Sequence, residues 1–237
     1  MHLYLIRHGQ STNNHLYAIT GAESGRVFDP ELTEAGARQA ECVCAYFTSA
    51  ASRNDPLLGP ITHLYTSPML RAIGTGLPLA RKLGLKLVTW KDLHEGGGLF
   101  LQDEETGELV GMPGPDRATI AARFPDLVWP AEMGDGPWWD RPAELTEERL
   151  LRARRVLKRL LEQHPPESGD GVVFFTHANF LNYFLTAALG MAGERRLPAW
   201  FATDNAGISQ VEFRPGSEPL ILFWNRTEHL PADLMTW

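Results

Sequence analysis

Two arginines and two histidines of this chain stand at or just beyond the ends of short apolar runs, a placement that suits capture of an anion. Arg7 and His8 come directly after "HLYLI" (2–6), His177 ends "GVVFFTH" (171–177), and "THLYTS" (62–67) leads through Pro68 to Arg71. Runs of this length and make-up read as buried strands. Ligands of open parallel sheets bind beyond the carboxyl ends of the strands, so the four side chains are expected to converge on one crevice. Guanidinium forks match phosphate oxygens in a bidentate way that lysine cannot reproduce. An imidazole, with a free pKa of about 6.5, is held neutral by neighbouring cations and is then a nucleophile toward phosphorus. The departing alkoxide needs a proton, and Glu95, at the end of "WKDLHE" and near another strand exit, is the candidate acid. Helices expected to start at 68 and near 178 would point free N–H groups at the same anion.

The pattern also predicts the elements that hold these groups. "HLYLIR" is a buried strand, and "DPELTEAGARQAECVCAYF" (29–47) is a helix capped by Thr33, with Gly36, Ala40, Val43, Cys44 and Phe47 on one face. Ser67 as N-cap and Pro68 at the first helical position open a second helix, with a kink or break at Pro78 and a stop at Gly84. Residues 146–164 form an amphipathic helix with Leu150, Ala153, Leu157, Leu160 and Leu161 inward; its arginines read as a solvated face. "ANFLNYFLTAALG" is a helix closed by Gly190, and "GISQVEF" and "PLILFWN" pair as a hairpin around "RPGSEP". Strands alternating with helices predict an α/β three-layer sandwich, with a mostly parallel central sheet and helices on both faces. The stretch at about 96–141, rich in Gly, Pro, Trp and carboxylates, reads as a lid-like insertion within a single domain spanning 1–237.

Bulk properties remove several function classes. The 237 residues are 43% apolar, enough for a real core, and carry a net charge of −7 with no basic stripe, which argues against nucleic acid as a partner. No run reaches transmembrane length, and the N-terminus meets Arg7 too early for a signal-peptide core. Cys42 and Cys44 would point to different faces of their helix, so neither a disulfide nor a metal pair is expected, and a cytoplasmic location is the default. His2, His15, His63, His94, His164 and His229 lack metal-ligand spacing and are read as surface or packing residues; no metal or cofactor is expected.

Together "RHGQSTNN", "LTEAGARQA", "SPMLRAIGTG", "DLHE" and "VVFFTHANF" resemble the histidine phosphatase superfamily in its phosphoglycerate-mutase-like branch, in the family's order. The resemblance implies that His8 is phosphorylated in a covalent intermediate, that Arg7, Arg71 and His177 bind the phosphoryl group, and that Glu95 is the proton donor. It also places Asn14 on the phosphate and Thr20 and Gly21 in the pocket lining, and makes Asn205 structural. Ala178 succeeds His177 where another branch carries an aspartate donor, and the signature of cofactor-dependent phosphoglycerate mutases is missing.

The expected activity is therefore metal-independent hydrolysis of a small phosphate ester, with inorganic phosphate as product. The alternatives are a phosphoglycerate-type mutase and an inactive phospholigand-binding module. The insertion holds nine carboxylates and three arginines, a net charge of −6. Such a cover supplies few cations for a second anionic group, so the part of the substrate beyond its phosphate is expected to be neutral or weakly charged. Trp129, Trp138 and Trp139 are read as the insertion's own core.

Overall fold

The strand β1 (His2–Arg7) is buried from Leu3 onward and sits between two partners. It pairs in parallel with β7 (Gly171–Thr176) and antiparallel with β8 (Ile208–Glu212). The computed structural model describes residues 1–22, 24–49, 55, 57–191, 197 and 199–237. Seven strands form the main sheet in the order β6-β3-β2-β7-β1-β8-β9. The others are β2 (His63–Thr66), β3 (Leu87–Thr89), β6 (Leu127–Val128) and β9 (Leu220–Arg226). Only β8 runs against the rest; β8 and β9 are the expected C-terminal hairpin.

Alternation along β1 divides the core between the two faces of the sheet. Tyr4 and Ile6 pack with Val43 of α2 (Glu34–Thr48) and with Ile73 and Leu77 of α3 (Leu70–Leu83). Leu3 and Leu5 pack on the opposite side with Leu150 and Val156 of α5 (Thr146–Gln163), and with Phe180 and Phe184 of α6 (Ala178–Ala188). This is the α/β three-layer arrangement that the sequence predicts.

Register does the positioning. Arg7 lies opposite Thr176, so the next residues, His8 and His177, emerge side by side with ring centroids 5.0 Å apart. Thr66 lies opposite Phe175, which sets Ser67 beside them.

Three local expectations change, and one helix is added. In the polar stretch after His8, α1 (Thr12–Thr20) begins where Ser11 and Asn14 form a reciprocal capping box. Helix α3 starts at Leu70 rather than at Pro68, since Ser67 Oγ accepts from the Met69 amide and holds 67–69 out of the helix. Pro78 lies inside α3 without dividing it, on a helix whose Leu77, Leu79 and Ala80 are buried in the core. Arg152, on the supposedly solvated face of α5, is 2% exposed because Glu144 and two main-chain carbonyls satisfy its guanidinium.

The 96–141 stretch forms a separate hairpin, β4 (Phe100–Gln102) with β5 (Leu109–Gly111), then α4 (Arg117–Arg123), and returns to the main sheet as β6 beside β3. Trp129, Trp138 and Trp139 are buried in the same core cluster as Tyr4 and Ile6. Among the described residues no helix is long and apolar enough to cross a membrane. Cys42 and Cys44 are both free thiols on α2.

Candidate active site

The turn after β1 is made by a close approach of two main chains. A Cβ on Gly9 would meet the Gly36 carbonyl oxygen at 2.5 Å, and one on Gly36 would strike the carbonyl of Gln10. Two glycines therefore let the N-terminus of α2 press on the turn. The Gly9 amide donates to Thr75 Oγ1 at 3.0 Å, which ties the same turn to α3. His8 is buried there, with its Nδ1 2.7 Å from the Gly9 carbonyl and its Nε2 3.1 Å from Arg71 Nε. A carbonyl only accepts and a guanidinium only donates, so the proton is on Nδ1 and the lone pair is on Nε2.

Donors suited to a negative charge stand around that lone pair. Arg7 gives Nη1 to the Thr203 carbonyl at 2.6 Å, while its buried Nε has no protein partner among the described residues. Arg71 Nη1 is also buried without a hydrogen bond, 3.8 Å from Asp29 Oδ1. Asn14 has committed its Oδ1 to Ser11 and Asn205, which leaves its amide NH₂ for a ligand. Asn205 itself holds the His8 carbonyl and receives Thr236 Oγ1, a structural brace. His177 is fully buried, with Nε2 2.9 Å from Ser67 Oγ and Nδ1 without a partner among the described residues.

Burial and the two guanidiniums together hold His8 well below the ordinary imidazole value, so it is neutral and able to attack. Burial first, then Arg71, does the same to His177. Desolvation pushes Arg7 down to about 10, still cationic at neutral pH. Asp29 is pushed up to about 6 by burial, against the pull of Arg71.

The helix N-termini serve a different purpose from the one expected. The Leu70 amide at the start of α3 donates to Asp29 Oδ1 at 3.1 Å. The Phe180 amide in α6 donates to Glu95 Oε1 at 3.1 Å, and Asn179 to Oε2 at 3.4 Å. Both termini thus hold protein carboxylates, which their partial positive charge favours, and not a free anion. The Gly96 amide adds a third bond to Glu95, reaching Oε1 at 2.8 Å. Oε1 is anchored twice, whereas Oε2 carries only the long contact.

A cavity of about 120 Å³ is lined by Arg7, His8, Asn14, Arg71 and Glu95, five of the eight residues expected from sequence. His177 stands behind His8 and does not line it. Thr20 and Gly21 lie at the exposed C-terminal end of α1, where Thr20 Oγ1 bonds the Leu16 carbonyl and Gly21 takes the left-handed cap. Ser11, Asn13, Arg26 and Phe28 also line the cavity, as do Gly96, Gly98 and Phe100 of the insertion. The Ser-x-x-Asn spacing is the available sequence signal for Ser11; Arg26 sits in a stretch with no periodicity to flag it. Asp29, beside Arg71, looks in sequence like no more than the lead-in to α2.

His63, His164 and Asp170 meet far from this cavity, at the amino ends of β2 and β7, with ligand-type atoms within 4.8 Å of one another. Both nitrogens of His164 are already engaged, Nδ1 by Asp170 at 2.8 Å and Nε2 by Tyr65 Oη at 3.0 Å.

The sequence model of the histidine phosphatase superfamily (branch 1) matches residues 3–227. No curated protein sequence matches significantly. Among solved structures, the chain is similar to a mycobacterial glucosyl-3-phosphoglycerate phosphatase complexed with VO3, with 21% identity, 95% of this chain and 99% of that one covered, and a TM-score of 0.59. It is similar to a phosphoserine phosphatase of Entamoeba histolytica, with 21% identity, 97% and 99% covered, and a TM-score of 0.60. It is similar also to YhfR of Bacillus stearothermophilus, with 17% identity, 96% and 98% covered, and a TM-score of 0.61. At these identities the structures speak for the fold.

Proposed function

The chain belongs to the histidine phosphatase superfamily, branch 1, and from that premise we propose that it hydrolyses small phosphate monoesters without a metal, through a phosphohistidine on His8. The observation that carries this reading is the unprotonated Nε2 of a buried, neutral imidazole, flanked by the unpartnered Nε of Arg7 and Nη1 of Arg71 in one small cavity.

An incoming phosphate competes for Arg71. A charge-assisted N–H···O⁻ bond is stronger than a bond to a neutral imidazole, so the guanidinium turns to a phosphoryl oxygen and uncovers Nε2. Nε2 then bonds to phosphorus as the P–O bond to the alcohol breaks. The alkoxide takes its proton from Oε2 of Glu95, the oxygen without a strong main-chain anchor. In the second half, Glu95 takes a proton from water, the water oxygen bonds to phosphorus, and the P–N bond breaks to give orthophosphate. Arg7, Arg71 and the Asn14 amide spread the charge on the equatorial oxygens, with His177 and Ser67 supporting from behind.

The three arginines of the insertion pair at the surface with Glu31, Asp135 and Glu148. They line no part of the cavity, which supports a substrate whose remainder is not strongly anionic. Arg26 qualifies that reading, because it lines the cavity from outside the insertion. Sugar phosphates are therefore compared with phosphoserine and glucosyl-3-phosphoglycerate, the compounds named for two of the similar structures.

The test is p-nitrophenyl phosphate turnover in buffer containing chelator, for wild type and His8→Ala, and then that panel with orthophosphate and isomeric products both measured. Chelator-resistant release of orthophosphate that disappears in His8→Ala is expected. Equal turnover by the variant, or isomer formed in place of orthophosphate, overturns the proposal.

A further inference from the structure

Arg152 is the least exposed arginine of α5, and every part of its guanidinium is engaged. Nε and Nη2 grip Glu144 Oε1 and Oε2 at 2.6 and 2.7 Å, a bidentate pair. Nη1 donates to the carbonyls of Asp92 at 2.7 Å and His94 at 2.8 Å, and the plane lies 5.2 Å from the Phe180 ring of α6. Glu144 grips the same segment from the other side: its amide donates to the Gly97 carbonyl at 2.9 Å, and its Oε2 accepts the Gly97 amide at 3.4 Å. The buried ion pair thus fixes main-chain groups three residues before, one before and two after Glu95. His94, kept neutral mainly by burial and next by Arg152, bonds through Nδ1 to the Glu95 carbonyl at 2.8 Å and packs on Trp139.

A buried ion pair is poor evidence of stability, since desolvation offsets most of its attraction. Its use here is geometric. We infer that Arg152 and Glu144 are positioning residues that hold the carboxylate of Glu95 at the leaving-group oxygen. The inference rests on the proposed role of Glu95 as proton donor. It separates the pair from His8, Arg7 and Arg71, which hold and attack the phosphoryl group and bond to neither partner.

Leaving-group dependence reads this directly. A 2,4-dinitrophenolate departs without a proton, whereas an alkoxide requires one. The experiment measures kcat/KM, which reports the steps through phosphoryl transfer to the enzyme, on 2,4-dinitrophenyl, p-nitrophenyl, phenyl and alkyl phosphates. Arg152→Lys keeps the charge and loses the fork; Glu144→Gln keeps the shape and loses the charge. Both are expected to lose about 10- to 100-fold on alkyl phosphates and less than about threefold on the dinitrophenyl ester, a fraction of what a general acid contributes. A double variant, Arg152→Met with Glu144→Met, removes both buried charges together and carries the test if a single variant fails to fold. Glu95→Gln is measured alongside. A uniform loss across the esters, or none, in folded Arg152 and Glu144 variants while Glu95→Gln shows the steep dependence overturns the positioning role alone. A flat Glu95→Gln series overturns the proton-donor assignment, and the positioning role falls with it.

Discussion

Arg71 donates its Nε–H to Nε2 of His8 at 3.1 Å, and the Gly9 carbonyl holds Nδ1 at 2.7 Å. In the proposed mechanism the two bonds choose the nitrogen that attacks before any substrate arrives. Arg71 there has two tasks: it keeps Nε2 unprotonated in the free protein and transfers its fork to phosphate in the complex. Arg71→Lys retains the charge but presents neither the fork nor the planar Nε–H. Its kcat/KM on p-nitrophenyl phosphate is expected to fall about 10²–10³-fold, the range found for loss of one preorganised donor. A loss below about threefold would show that charge alone suffices.

Acid behaviour distinguishes the proposed nucleophile from its substrate. Burial and two guanidiniums hold His8 well below the ordinary imidazole value, whereas the dianion of a phosphate monoester takes up its first proton at about 6. The acid limb of kcat/KM near pH 6 therefore belongs to the ester, whose second ionisation lies at about 6. Esters with more acidic phosphates should move that limb downward by the same interval. A limb that stays near 6.5 for every ester would place an ordinary imidazole in control.

Stability carries opposite signs from two kinds of buried group. His8, His94 and His177 are depressed in the folded chain, so below about pH 6.5 the unfolded chain binds more protons and stability falls. Asp29 is raised from 3.8 to about 6, so the folded chain binds its proton more readily, and stability falls as pH rises through that window. Asp29→Asn removes the penalty of a charged buried carboxylate while keeping an acceptor for the Leu70 amide. Its melting temperature should exceed that of wild type at pH 8 and lose this advantage near pH 4, by calorimetry. Orthophosphate should also bind it more tightly, because Arg71 no longer shares its charge. Weaker phosphate binding would mean that Asp29 chiefly orients Arg71.

Gly36→Ala tests the contact that shapes the turn carrying His8. Its Cβ would strike the Gln10 carbonyl, a main-chain neighbour with nowhere to go. Urea denaturation should show a loss of about 2–4 kcal/mol, in the range of severe steric substitutions. Phosphatase activity per folded molecule should fall as His8 is displaced. A neutral substitution would show that the turn and α2 can separate.

The strand ends are legible in the sequence because β1 and β7 are largely apolar runs and β2 carries Leu64 and Tyr65, and a parallel register brings the residues just beyond their carboxyl ends to one edge of the sheet. That is why Arg7, His8, Arg71 and His177 can be grouped from sequence alone. Position along a strand, however, does not say which side chain faces the cavity and which stands behind it; His177 emerges in the second rank. Thr20 and Gly21 are tied to the pocket by motif alone, and the helical course of α1 carries them to solvent. Arg152 is hidden in the sequence because its partner, Glu144, comes from a segment without periodicity, and charge on an amphipathic helix ordinarily faces water. The glycines after Glu95 form a loose pattern in sequence but a tight one in space. Gly97 and Gly98 have φ of +91° and +74°, and a Cβ on Gly98 would enter the Trp139 ring, so this wrap accepts little else.

Rapid acid-free quench of wild type during turnover of a good ester, and then peptide mass spectrometry, measures the covalent step itself. The account predicts one phosphoryl group, acid-labile and base-stable, on the peptide that contains His8, linked through Nε2. A phosphoryl group on any other residue, or full turnover with none on His8 at any time, would contradict it.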